Sequence, residues 1–175
     1  MRNVQSRIGS LLLAATLILS ASLMSACVST APLDMSKINM NDVTLDTAAM
    51  GETLVGELSF DGTLVKIDNE IADGLLGVGG LYNEMTAYMS SAVLAEAIVI
   101  LRCESASDAE VAHARLITYR DEMADVYAGY NMTESEKLTN AFLACHGRYV
   151  FFCVSPDTDT AERAFQTYVV DSLKK

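Results

Sequence analysis

The sequence predicts an α+β domain. Its expected form is a four-stranded, antiparallel-rich sheet in a ββαββα arrangement, with two long helices on one face and an N-terminal helical cover. Three observations predict it. Short β-type apolar runs fall in pairs at 85–90 with 96–104 and at 138–145 with 148–154, and each pair is followed by a helical period. Residues 98–101 (IVIL) and 150–154 (VFFCV) are apolar at consecutive positions, so strands there are covered on both faces. The composition, 51% apolar and 20% charged, is that of a globular body.

The chain opens on a segment that does not belong to this fold. Arg2 and Arg7 precede an apolar run over 8–24, and the small residues Ser25 and Ala26 then precede Cys27. A positive head, an apolar middle and a small-residue cleavage site make residues 1–26 a removable secretory signal. A retained single-pass helix is the competing reading. The run falls short of the about 20 residues a span requires, and no Lys/Arg cluster follows it. Met24-Ser25-Ala26-Cys27 resembles the bacterial lipobox, with Met24 where that pattern prefers Leu. The resemblance implies lipid attachment at Cys27, and plain secretion by a nearby cut is the alternative. One acyl chain binds a bilayer marginally, whereas two anchor stably.

Residues 27–43 lack a period and carry Ser29, Thr30, Pro32, Ser36, Asn39, Asn41 and Asp42, as a lipid-anchored flexible tether does. Residues 44–175 form the single globular domain. A modest helix is expected over 44–58, with Asp46 as a cap and Gly51 and Gly56 as weak points. Asp61-Gly62 is a turn, 64–67 a short extended piece, and 69–76 one or two helical turns stopped by Gly77, Gly79 and Gly80. Strands follow at 85–90 and 96–104, joined by a loop. The longest helix covers 107–127, with Ser107 and Glu110 as a capping box and Ala112, Leu116, Tyr119, Met123 and Val126 inward. A strand at 138–145, a turn at His146-Gly147 and a return strand at 148–154 make a hairpin. Pro156 and Asp157 open the last helix, with Ala161, Phe165, Tyr168 and Val169 inward. The long helices leave one sheet face for the 44–76 helices to cover, or for an oligomer contact.

Removing the first 26 of 175 residues leaves 149, enough for one adequate core. The whole chain carries a formal charge of −11, and loss of Arg2 and Arg7 brings it near −13. Such a body repels phosphate backbones and anionic headgroups, so nucleic acid is not a partner and the bilayer contact falls to acylated Cys27. With Cys27 acylated, Cys103, Cys145 and Cys153 remain, an odd number. They form either one disulfide and a free thiol, or three reduced thiols that pack as small hydrophobes.

The order of parts is similar to a known family. The lipobox signal and helical N-terminal part are followed by Tyr88-Met89-Ser90-Ser91, Ala95-Glu96-Ala97-Ile98-Val99-Ile100-Leu101 and a long polar-faced helix. Gly147-Arg148-Tyr149-Val150, a strand and a closing helix complete it. This resembles the uncharacterised bacterial lipoprotein family called domain of unknown function 4358, over most of 45–170. The resemblance implies an extracytoplasmic, Firmicutes-type (Gram-positive) lipoprotein, and brings with it no activity, substrate or catalytic residue.

The residues themselves assemble no catalytic, cofactor or metal set. His113 and His146 are the two imidazoles, and neither stands at C-x-x-C or H-x-x-x-H spacing for zinc. Cys145 and His146 are strand neighbours that point to opposite faces, which rules out a nucleophile pair without a bulge. Gly77-Val78-Gly79-Gly80 lacks the lysine of a phosphate loop. Asp157-x-Asp159 lacks the Gly and closing Glu of a calcium loop and reads as helix capping. Asp121, Glu122 and Asp125 read as a solvated helix face. The S-x-x-K match at Ser172 to Lys175 sits at the C-terminus. Tyr127 to Tyr130 either anchor the helix end or present a small binding patch. The function expected is a binding or assembly module on the outer side of the cytoplasmic membrane, with an envelope protein as partner. The alternative is a cell-envelope hydrolase whose site is assembled only in three dimensions.

Overall fold

The computed structural model describes residues 35–174. The signal, Cys27 and residues 27–34 of the tether lie outside the described residues. The strands are β1 (Val65–Lys66), β2 (Tyr82–Met89), β3 (Ala97–Cys103), β4 (Phe142–His146) and β5 (Tyr149–Val154). The helices are α1 (Thr47–Glu57), α2 (Asn69–Leu76), α3 (Ala106–Ala128), α4 (Met132–Thr139) and α5 (Thr158–Ser172). The strands form one sheet in the order β1-β2-β3-β5-β4, and every neighbouring pair is antiparallel.

The consecutive apolar residues of β3 and β5 build two cores. Val99 and Leu101 of β3 and Val150, Phe152 and Val154 of β5 face one side, under α2, α3 and α4. Ile98, Ile100, Phe151 and Cys153 face the other, under α1, α5 and the segment from Met35 to Leu45. Each apolar side chain fully buried this way contributes about 1.5–3 kcal/mol. Tyr149 fastens the second layer: its hydroxyl donates to the Val43 carbonyl at 3.1 Å and accepts from the Leu45 N–H at 3.0 Å.

Four expectations are corrected here. The sheet has five strands rather than four, because the short piece near 64–67 pairs with β2 through Val65 and Lys66. The two long helices lie on opposite faces, not together. The run after α3 forms a further helix, α4, whose Leu138 joins the α3 core. With α2, α3 and α4 on that face, α5 covers the other, where Phe165 meets Phe142 and Phe151 at ring-centroid distances of 5.2 and 5.3 Å. The N-terminal cover is accordingly divided, α1 to one face and α2 to the other. The expected strand at 138–145 shortens to Phe142–His146, since Leu138 is helical.

Local signals place the helix ends. Asp46 accepts the Ala49 N–H at 2.9 Å and starts α1, and Gly77, at φ 67°, closes α2. For α3 the cap is Ser105 rather than Ser107: its hydroxyl accepts the Asp108 N–H at 3.1 Å and donates to the Asp108 carboxylate at 2.6 Å. The same serine-x-x-acid logic operates two residues earlier, immediately after β3 ends. Val126, expected inward, is exposed, and Tyr127 takes the buried position. The hairpin turn is Gly147-Arg148, with Gly147 at φ 58°.

Gly51 sets the α1–sheet distance. A Cβ there would lie 2.7 Å from Thr86 Cγ2 and 2.9 Å from the Tyr88 ring, whereas one at Gly56 meets nothing within 4 Å. We therefore expect Gly56→Ala to raise the unfolding free energy by up to about 1 kcal/mol through helix propensity. Gly51→Ala lowers it by about 1–3 kcal/mol through overpacking. Denaturant titration of the two variants checks the opposite signs.

Candidate functional site

A cleft of about 300 Å³ opens at the end of the sheet where β2 turns into β3. The loop between those strands forms one wall through Met89 to Ala97, and α2 contributes Leu75. From α3 come Tyr119, Met123 and Tyr127, and Leu138 of α4 lies at the base. One helical stripe supplies Tyr119, Met123 and Tyr127, because positions four apart share a face. The Tyr127 hydroxyl donates to the Ala92 carbonyl at 3.2 Å, fixing the loop to the helix. Burial, then the hydrogen bond with Tyr130, pushes the Tyr127 phenol up to about 12, so it stays neutral. Of the lining, Leu75 is 53% exposed, while Val93 in the β2–β3 loop and Tyr130 beside Tyr127 are 66% and 62% exposed.

A buried charge cluster holds the loops behind this cleft. The Lys137 amine lies 2.7 Å from Asp61, 2.9 Å from Glu134 and 3.1 Å from Glu96. Lys137, Glu96 and Glu134 are all buried, while Asp61 is exposed. Glu96 also accepts the Asp61 and Gly62 N–H groups, each at 2.8 Å, and Glu134 accepts the Ala95 N–H at 2.8 Å. Burial alone would lower the Lys137 amine. Hydrogen bonds from it to Asp61, Glu134 and Glu96 reverse this and hold it above the ordinary lysine value. The result is a clamp: one cation on α4 joins the turn at 61–62 to the start of β3. A Cβ at Gly62 would lie 2.5 Å from Leu94 Cδ1, so a larger residue there displaces the Leu94 side chain. Ser135 secures α4 to α3 by donating to the Ala124 carbonyl at 2.8 Å.

Sequence reasoning named Tyr127 and Tyr130 and missed the clamp. In the fold Tyr127 walls the cleft and Tyr130 lies against it, ring centroids 5.1 Å apart and the rings tilted by 39°. The clamp residues span 76 positions of chain from Asp61 to Lys137. The local signal for it was the Glu134-x-x-Lys137 spacing after Asn131, which suits a short helix. The other candidates are dispersed. Asp157 caps α5 by accepting from the Thr160 N–H and hydroxyl, and those bonds hold its carboxyl below the usual range. Gly77 ends α2, and its carbonyl accepts from Arg115. Asp121, Glu122 and Asp125 are exposed on α3, with Asp121 paired to Arg120. Among the described residues no three His, Cys, Asp or Glu side chains group as a metal site.

The three described thiols are free. Cys103 and Cys145 face the α3 core and Cys153 faces the α5 core, so the sheet separates Cys153 from the other two. Burial, then Cys145 and Asp108, pushes Cys103 up to about 11, and burial pushes Cys153 up to about 12. Burial and then Glu110 also raise Cys145, which is half-buried.

The family described as Domain of unknown function (DUF4358) matches residues 59–155, more than half of the chain. The match begins just before Asp61 and ends just after β5, so it takes in the whole sheet, the cleft and every clamp residue. No curated protein and no solved structure matches the chain.

Lys137→Met leaves Glu96 and Glu134 buried without a cation, and we expect a loss of about 3–5 kcal/mol of stability. The wild type carries a pH dependence that the variant lacks. In the wild type the folded Lys137 value is raised, so its contribution is complete below the ordinary 10.5 and is lost as pH climbs through the higher folded value. In the variant this high-pH loss is absent, because Met carries no titrating group. Thermal unfolding across pH measures both. Maleimide at pH 8 labels Cys145 before Cys103 and Cys153, which react only on unfolding; mass spectrometry of digests reads the order.

Proposed function

The chain belongs to the DUF4358 family, and from that premise we propose that it is a Firmicutes-type lipoprotein that binds an envelope partner. On this reading residues 1–26 are removed, and Cys27 carries acyl chains that hold the acidic domain at the outer side of the cytoplasmic membrane. The signal pattern and the lipobox-like Met24-Ser25-Ala26-Cys27 support the anchor. No helix among the described residues is long and apolar enough to cross a membrane.

One observation carries the binding role: the cleft is lined mainly by apolar groups, with Ser90, Ser91 and Glu96 among them, and the carboxylates of Glu96 and Glu134 are saturated. Glu96 has both oxygens engaged by N–H groups and Lys137, and Glu134 is held by Ala95 and Lys137. General acid–base work needs a carboxyl free to reach a substrate proton. A site walled by Met89, Leu75, Tyr119 and Met123 instead fits an apolar side chain of a partner. The hydrolase alternative gains nothing from this geometry.

The anchor is tested by feeding producing cells a labelled fatty acid. Wild type takes up label and sediments with membranes, and Cys27→Ala does neither; an unlabelled wild type defeats the anchor. The cleft is tested by crosslinking in intact cells. A partner captured by wild type is lost on Leu75→Asp with Val93→Asp, two exposed changes that leave the fold intact. Equal capture by both proteins, or repeated recovery of the protein alone, counts against the binding site.

A further inference from the structure

The sheet has one undefended edge. Among the described residues β4 pairs with β5 alone, through five consecutive residue pairs without a bulge. It contains no Pro, Lys, Asp or Glu, the usual devices that blunt an edge. The other edge, β1, is two residues long and includes Lys66. The Gly147-Arg148 turn is flanked by His146 and Tyr149. A two-residue hairpin makes that flanking pair a hydrogen-bonded one, so alternate residues of β4 aim their backbone groups outward. The outward pair are Leu143 and Cys145. The Cys103 N–H reaching the Arg148 carbonyl at 2.8 Å, on the far side of β5, agrees with this alternation.

Beside this edge runs a groove of about 390 Å³ between β4 and α5. Phe142, Ala144 and His146 face it from β4, with Phe165 and Val169 beneath. Ala144 is small and leaves room between its two larger neighbours. The Thr158 hydroxyl donates to the Asn140 carbonyl at 2.7 Å, which fixes the spacing of helix and strand at one end. On the helix side Glu162 accepts from Gln166 at 2.9 Å and is exposed. It is the one carboxylate in the lining, and burial keeps His146 below its ordinary value.

We propose that this groove accepts an extended, basic polypeptide segment of another protein, which adds to β4 as a sixth strand. The backbone N–H and C=O groups of Leu143 and Cys145 pair with it. An apolar side chain enters over Ala144 toward Phe165, and a Lys or Arg meets Glu162. This is strand addition beside a helix, in which main-chain bonds give affinity and side-chain pockets give selection. The charge argues against a second copy. The chain carries −11, and edge-to-edge pairing of two β4 strands would bring two acidic molecules together. This site lies on the opposite sheet face from the cleft, and it stands or falls independently of the lipid anchor.

The test is a peptide titration of the full chain in detergent, followed by amide NMR and hydrogen exchange. The probe is a seven-residue peptide alternating Val with Lys or Thr. Controls are its N-methylated form, which keeps the side chains but loses pairing donors, and an acidic version with Glu for Lys. We expect shifts across Phe142–His146 and slower exchange at the Leu143 and Cys145 amides. The N-methylated peptide and the Leu143→Pro variant should each bind about tenfold more weakly. Leu143→Pro removes an outward N–H, not one of the β4–β5 ladder. Glu162→Lys, an exposed change that leaves the fold intact, should reverse the preference between basic and acidic peptides. Indifference to N-methylation, or no response at β4, overturns the proposal. So does protection of the Leu143 and Cys145 amides before peptide is added, which would mean that a second copy or the chain's own N-terminal segment fills the groove.

Discussion

Keeping β3 and β5 dry on both faces is the constraint from which the rest of this structure follows. Ten of their positions, from Ala97 to Leu101 and from Val150 to Val154, are buried. A strand exposes alternate residues to opposite sides, so a single helical layer leaves half of these groups in water. The chain solves this by splitting its helices. α3, α4 and α2 cover one side, and α5, α1 and the segment from Met35 to Leu45 cover the other.

That division also makes the two concave surfaces. On the α3 side three elements of unequal length cannot tile the sheet end, and the cleft beside the β2–β3 loop is the gap they leave. Lys137 ties the turn at 61–62 and the start of β3 to α4 behind this gap. A buried cation with two buried carboxylates is a poor source of net stability, and its contribution is to fix position. On the α5 side α5, α1 and the segment from Met35 to Leu45 cover the sheet, and the outermost strand is left with an open edge.

Much of this was legible in the residues. The two-faced strands stood out as consecutive apolar runs, and Asp46, Asp157 and Gly77 marked helix ends, whereas Met35, Met40 and Val43, read as part of a tether, pack in the core under α5. Which face each helix would take was not legible. An amphipathic stripe such as Ala161, Phe165 and Val169 says that a helix has an inner side, but not which side of the sheet that meets. α4 was hidden for a related reason. Its buried residues include Glu134, Ser135 and Lys137, polar groups whose burial depends on partners at 61, 95, 96 and 124. The candidate site was therefore half visible, through Tyr127 and Tyr130, while the clamp that shapes it was not.

Native-state hydrogen exchange tests the two-layer sheet most directly. If both layers are needed to shield the central strands, the amides of β3 and β5 exchange only through global unfolding. They are then the slowest in the protein, well behind the outward amides of β1 and β4. Exchange of β3 amides at rates matching those edge strands, with the protein still folded, would contradict the account.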